Sequence, residues 1–124
     1  MKKEYFEEEN FIKIDFTENQ LEKGDYEDCI FEDCIFSNSD LSDINFADCI
    51  LKNCDFSNAN IHNTAFKNVK FENCKMLGLH FDECNTFLLS FYFENCVLSF
   101  SSFYQLVIKD TVFKDCKLED VPNA

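Results

Sequence analysis

The side chains of this 124-residue chain that could do chemistry are eight cysteines, two histidines and twenty-four carboxylates. Cysteines at suitable spacing hold zinc or close disulfides, so they come first. Zinc sites usually draw on close pairs such as C-x2-C, whose sulfurs converge on one point. Here the tightest spacing is C-x4-C, in Cys29/Cys34 and Cys49/Cys54. The histidines, His62 and His80, stand apart in the sequence, with Asp82 and Glu83 close to the second. No Ser-His-Asp arrangement, glycine-rich phosphate loop or dinucleotide fingerprint accompanies them. The carboxylates are abundant but spread along the chain, without the apolar pocket that would tune a pair for acid–base catalysis. The expectation is a protein with no catalytic residues, no metal site and no cofactor.

What positions these residues is a period of five. The stretch from Asp25 to Cys74 divides into DYEDC IFEDC IFSNS DLSDI NFADC ILKNC DFSNA NIHNT AFKNV KFENC. Neither a helix of period 3.6 nor a strand of period two can produce it, so an internal-repeat architecture is indicated. The large apolar place of each block is occupied by Phe6, Phe11, Phe16, Leu21, Tyr26, Phe31, Phe36, Leu41, Phe46, Leu51, Phe56, Ile61, Phe66, Phe71, Met76 and Phe81. After Phe81 the phase slips by two residues, within Cys84 to Leu88, and resumes as Leu88, Phe93, Leu98, Phe103, Ile108, Phe113 and Leu118. Two places before each large residue lies a smaller one, and all eight cysteines fall there: Cys29, Cys34, Cys49, Cys54, Cys74, Cys84, Cys96 and Cys116. Two inward and three outward places per block describe one side of a coiled ribbon with a narrow interior.

Ala59-Asn60-Ile61-His62-Asn63, Ser39-Asp40-Leu41-Ser42-Asp43 and Cys54-Asp55-Phe56-Ser57-Asn58 follow the pattern small, polar, Leu or Phe, polar, polar. In this the chain resembles the pentapeptide-repeat family over almost its whole length. The resemblance implies an all-β fold, a right-handed quadrilateral β-helix in which four blocks make one square coil. Residues twenty apart then stack, as in Phe11, Phe31, Leu51, Phe71, Phe93 and Phe113, or Ile14, Cys34, Cys54, Cys74, Cys96 and Cys116. One domain, 1–124, of about six coils is expected, with a two-residue bulge at a corner near residues 84–88. Stacked cysteines would point the same way from parallel strands, a poor geometry for disulfides, so they read as small core residues. Glu4 and Glu9 take small places in the first coil, which reads as a charged cap, and Pro122 is placed to end pairing.

The outward surface is where function is sought. Formal charge is −13, with all eleven basic residues lysine, which disfavours nucleic-acid binding and favours a basic protein partner. About six coils at about 4.8 Å give a rod of roughly 29 Å, hence about one net charge per 2 Å. Duplex DNA carries one per about 1.7 Å. Acidic outward residues concentrate on two adjoining sides of the N-terminal coils: Glu7, Glu8, Asp25, Glu27, Asp28, Glu32, Asp33 and Asp48. The Qnr-type quinolone-resistance group of the family consists of acidic dimeric rods that resemble DNA and act on type II topoisomerases. Its coil is broken much as Met76-Leu77-Gly78-Leu79 and the following slip break this one, so the resemblance implies a DNA mimic acting on DNA gyrase or topoisomerase IV, and a homodimer.

After the slip, outward places turn apolar: Phe87, Leu89, Tyr92, Val97, Phe100, Tyr104, Val107 and Val112. Such a set marks a contact surface, and a protein-interaction scaffold is the alternative to the DNA mimic. No run of eighteen apolar residues exists to span a membrane, and the N-terminus has no apolar stretch like a secretory signal, so a cytoplasmic address is expected.

Overall fold

A computed structural model describes residues 4–107 and 111–121; the expected inward Ile108 and the expected terminator Pro122 lie outside the described residues. Each five-residue block turns one corner. In most blocks the residue two places after the large one takes a left-handed backbone, with φ of 53° to 64° from Glu8 through Asp28, Asn53 and Asn73 to Asp120; Glu18, Lys23 and Glu83 are exceptions. Asn and Asp tolerate that conformation better than other residues with a side chain, which is why they recur at this place. At Gly78, in the same place with φ +69°, an added Cβ would lie 2.7 Å from Asn58 Oδ1.

Four corners close a coil, and successive coils pair through parallel ladders. On the first face β1 (Glu4–Glu7), β3 (Gly24–Glu27), β5 (Asn45–Ala47) and β7 (Ala65–Lys67) form a four-stranded sheet. On the second, β2 (Asn10–Ile12), β4 (Ile30–Glu32), β6 (Ile50–Lys52), β8 (Val69–Glu72), β9 (Phe91–Glu94) and β10 (Thr111–Lys114) form a six-stranded sheet. The third and fourth faces carry single bridges, among them Ile35 to Asp55 and His80 to Ser102. Six strands on the second face make six layers, separated by five turns of a parallel β-solenoid. No helix among the described residues is long and apolar enough to cross a membrane.

The interior is a set of columns. Phe11 stacks on Phe31 with ring centroids 4.6 Å apart, Phe16 on Phe36 at 4.7 Å, Phe36 on Phe56 at 4.6 Å and Phe81 on Phe103 at 4.8 Å, each pair within about 10° of parallel. Fully burying one such ring stabilises by about 1.5–3 kcal/mol, so the columns supply the dominant driving force. The small places do more than fill space. Sγ of Cys34, Cys54, Cys74 and Cys96 donates to the carbonyl oxygens of Phe11, Phe31, Leu51 and Phe71 in the layer below, at 3.3 to 3.5 Å. The hydroxyls of Ser39, Thr64 and Ser101 make the same bond to Phe16, Leu41 and Met76. Gly24 fills a small place where a Cβ would stand 2.4 Å from the Glu4 carbonyl oxygen.

The bulge is present, just past the C-terminal end of the stretch expected for it, between Leu88 and Phe91. Twenty-residue register persists through the Ala65–Asn85 bridge and the left-handed turn at Leu88. Val69 then pairs with Phe91, twenty-two residues on. This corrects one inward assignment. Leu88 occupies a corner and is 65% exposed, whereas Phe91, three residues after the expected stretch, turns inward and is buried, its ring centroid 5.3 Å from that of Phe66.

Candidate functional site

The surface is set by the corners. On the first face the residue leading each corner and the corner residue itself point outward, giving two columns along the rod. One reads Glu7, Glu27, Ala47, Lys67 and Phe87; the other reads Glu8, Asp28, Asp48, Asn68 and Leu88. Register fixes both, because β1, β3, β5 and β7 pair residue for residue and Ala65 bridges to Asn85. Of the eight acidic residues expected to form a surface, Glu7, Glu8, Asp25, Glu27, Asp28 and Asp48 stand together on this face. Glu32 and Asp33 lie on the adjoining second face, at the end of β4 and its corner.

This acidity is uncompensated. The ion pairs of the described residues join Lys23 to Asp40, Lys70 to Glu72 and Lys117 to Glu119, with His80 4.0 Å from Asp82, and none uses those eight acids. Carboxylate oxygens of Glu7, Glu27 and Asp28 approach within 4.8 Å of one another. Neutral donors brace some of them: Asn45 donates to Asp25 at 2.5 Å, Asn68 to Asp48 at 2.7 Å, and the Tyr5 hydroxyl to Glu27. That bond to Glu27 is the main reason the Tyr5 hydroxyl is pushed up to about 12, with burial and the neighbouring carboxylates adding to it.

The apolar set is distributed around the last layers. Phe87 belongs to the first face, Tyr92 and Val112 to the second, Val97 to the third, and Phe100 and Tyr104 to the third corner and the fourth face. Phe87, Phe100, Tyr104, Val107 and Val112 are exposed; Leu89 is half-buried against the core. Tyr92 and Val97 are half-buried, and Lys70 Nζ sits 4.9 Å from the Tyr92 ring centroid. The sequence reading missed two participants. Leu88 was placed inward, and Lys67, whose Nζ lies 5.5 Å from the Phe87 ring centroid, drew no attention because its block looked regular.

The thiols are core. All eight are free, and all but the half-buried Cys116 are buried. Burial pushes the Cys49 and Cys84 thiols up to about 12. Hydrogen bonds to the Cys54 thiol, together with burial, push Cys34 and Cys74 up as well. Hydrogen bonds from neighbouring thiols pull Cys54 and Cys96 the other way, while burial resists ionisation at every member of the column.

A square coil of five-residue sides, with small donors inside and left-handed corners outside, is matched by the family model for the pentapeptide repeat region over residues 24–92. The chain belongs to the pentapeptide-repeat family. No curated protein gives a significant match. Among solved structures, a trypsin-treated form of QnrB1, a plasmid-mediated fluoroquinolone resistance protein, superposes with a TM-score of 0.56 at 22% identity, covering 95% of this chain and 62% of that one. Full-length QnrB1 gives 0.43 at 18% identity, with 95% and 71% covered. This pentapeptide-repeat chain thus spans less than two thirds of the first of those structures, and the likeness is one of fold.

Proposed function

We propose that this pentapeptide-repeat protein is a non-enzymatic DNA mimic that engages the basic, DNA-binding surface of a type II topoisomerase, DNA gyrase or topoisomerase IV. The observation that carries the reading is the first face. Its carboxylates recur in each of the first three layers, in register on parallel strands, with no cation paired to any of them among the described residues. A rigid row of anions at about 4.8 Å per layer offers a basic groove what a phosphate backbone offers it. The QnrB1 fold likeness supports the same direction, since a protein of similar fold is a fluoroquinolone resistance protein.

Titration into a gyrase supercoiling assay, with and without a quinolone, tests this. The expected result is a dose-dependent change in supercoiling or relief of quinolone inhibition, weakened by Asp28→Asn together with Asp48→Asn and by added salt. No effect at large molar excess, with no basic partner retained on the immobilised protein, overturns it. The alternative scaffold reading draws on the exposed Phe100, Tyr104 and Val107. Partner capture that survives neutralisation of the acids and is lost with Phe100→Ser favours that reading instead.

A further inference from the structure

The corner column of the first face changes character in a single direction. Glu8, Asp28 and Asp48 are anionic, Asn68 is neutral, and Leu88 is apolar, all five at φ between 53° and 56° and all outward. The column beside it passes from Glu7 and Glu27 through Ala47 and Lys67 to Phe87. Leu88 and Phe87 are 65% and 66% exposed, and Val107, which the twenty-two-residue register of His80 and Ser102 carries one layer beyond Asn85, is 77% exposed. The acidic half and the apolar half therefore lie end to end on one face, over about 19 Å for the four layer steps from Glu8 to Leu88 and about 24 Å with Val107.

We propose that this face binds a basic amphipathic helix of a partner protein, with the helix cations over Glu7, Glu8, Glu27, Asp28 and Asp48 and its apolar residues on Phe87, Leu88 and Val107. The inference rests on the proposed capture of a basic protein and names the shape of what is captured. Charge complementarity selects the occupant. A second copy laid face to face would set carboxylates of one rod against those of the other if the two ran in parallel, and would cover apolar residues with carboxylates if they ran antiparallel. A nucleic acid is repelled along the anionic half.

Dimensions favour a helix. About 24 Å corresponds to about 16 residues at 1.5 Å each, four to five turns. One helical turn rises about 5.4 Å, close to the layer spacing of about 4.8 Å, so one Lys or Arg per turn meets one carboxylate rung per layer. The small mismatch is taken up by the long cationic stems. Separation of the two halves then imposes polarity, because only a helix whose cations and apolar residues are segregated along its length satisfies both.

Two synthetic helical peptides of one composition test this by titration calorimetry with the full chain. In one, Lys residues fill the turns at one end and Leu residues those at the other; in the second they are interleaved. The segregated peptide should bind at least about tenfold more tightly. Phe87→Ser combined with Leu88→Ser should abolish the difference while leaving the melting temperature and the salt dependence intact. Glu27→Gln with Asp28→Asn should flatten the salt dependence of both peptides. Equal affinity for the two peptides, or a segregated peptide that binds the Ser variant as tightly as the parent, overturns the proposal and shows a face that reads charge alone. Absence of binding at low salt overturns it as well. A gyrase response without peptide discrimination leaves the gyrase reading standing and removes this one; discrimination without a gyrase response does the reverse.

Discussion

At the scale of the residue, the small inward place is a hydrogen-bonding position. Cys34, Cys54, Cys74 and Cys96 each donate to a carbonyl in the layer below, and Ser39, Thr64 and Ser101 do the same. Size alone, read from the sequence, placed these residues inside, but the bond was not legible because its acceptor lies in another layer, twenty-three residues back in the regular coils. Thiol chemistry follows from the burial. Cys49 and Cys84 are held up to about 12, mainly by desolvation, whereas an unfolded cysteine titrates near 8.5. Between those values the unfolded chain binds fewer protons than the native one, so stability is full below about pH 8.5 and falls as pH rises toward 12. Melting temperature should therefore drop steadily above about pH 9. Cys49→Ser, which keeps a donor and removes one of the titrating thiols, should make that slope shallower while costing about 1 kcal/mol at neutral pH. A Cys49→Ser melt with the parent's alkaline slope would assign the effect elsewhere.

At the scale of the element, the unit is the corner. Asn and Asp recur two places after the large residue because that place is left-handed, from Asp28 to Asn95. In the sequence this recurrence read only as outward polarity, and the chain has just two Gly and one Pro to make turns. The turns are made by Asn and Asp instead. The five-residue period was legible because nearly every block repeats it, and the column stacking of Phe11 on Phe31 followed from it. The bulge was legible as a loss of phase, but its direction was not: Leu88 looked like the next inward residue, and only the pairing of Val69 with Phe91 shows otherwise. Leu88 and Phe100 hold left-handed corners at φ 56° and 64° with side chains that gain nothing locally from that conformation. Replacing either with Asn should stabilise the rod by about 0.5–1 kcal/mol, read as a rise in melting temperature. Both are also more than three-fifths exposed, so two residues that break the local rule are among the strongest contact candidates. Stabilisation accompanied by loss of partner binding would establish that exchange; a destabilised Leu88→Asn would show that its side chain packs in the fold.

At the scale of the whole molecule, charge and architecture oppose each other. A net charge of −13 is carried on a rod whose layers lie about 4.8 Å apart, well inside the Debye length of about 10 Å at 0.1 M salt. Carboxylates in one corner column, Glu8, Asp28 and Asp48, therefore repel from layer to layer, while lysines such as Lys23, Lys70 and Lys117 pair elsewhere. The stacked rings and the parallel ladders hold the layers together against that repulsion, and each layer is supported only by its neighbours. Salt should act on the two sides unequally. Screening weakens the repulsion and leaves ring burial unaffected, so the melting temperature should rise by several degrees between about 0.02 M and 0.5 M sodium chloride. Asp28→Asn with Asp48→Asn should produce much of that rise at low salt, and the gain from added salt should shrink correspondingly. The same substitutions should weaken capture of a basic partner, because the repulsion that strains the free rod is what a bound cationic surface relieves. A double variant that melts like the parent at low salt would show that the column's charges are already screened by solvent, and the acidic face would then lose its claim to a stored electrostatic drive for binding.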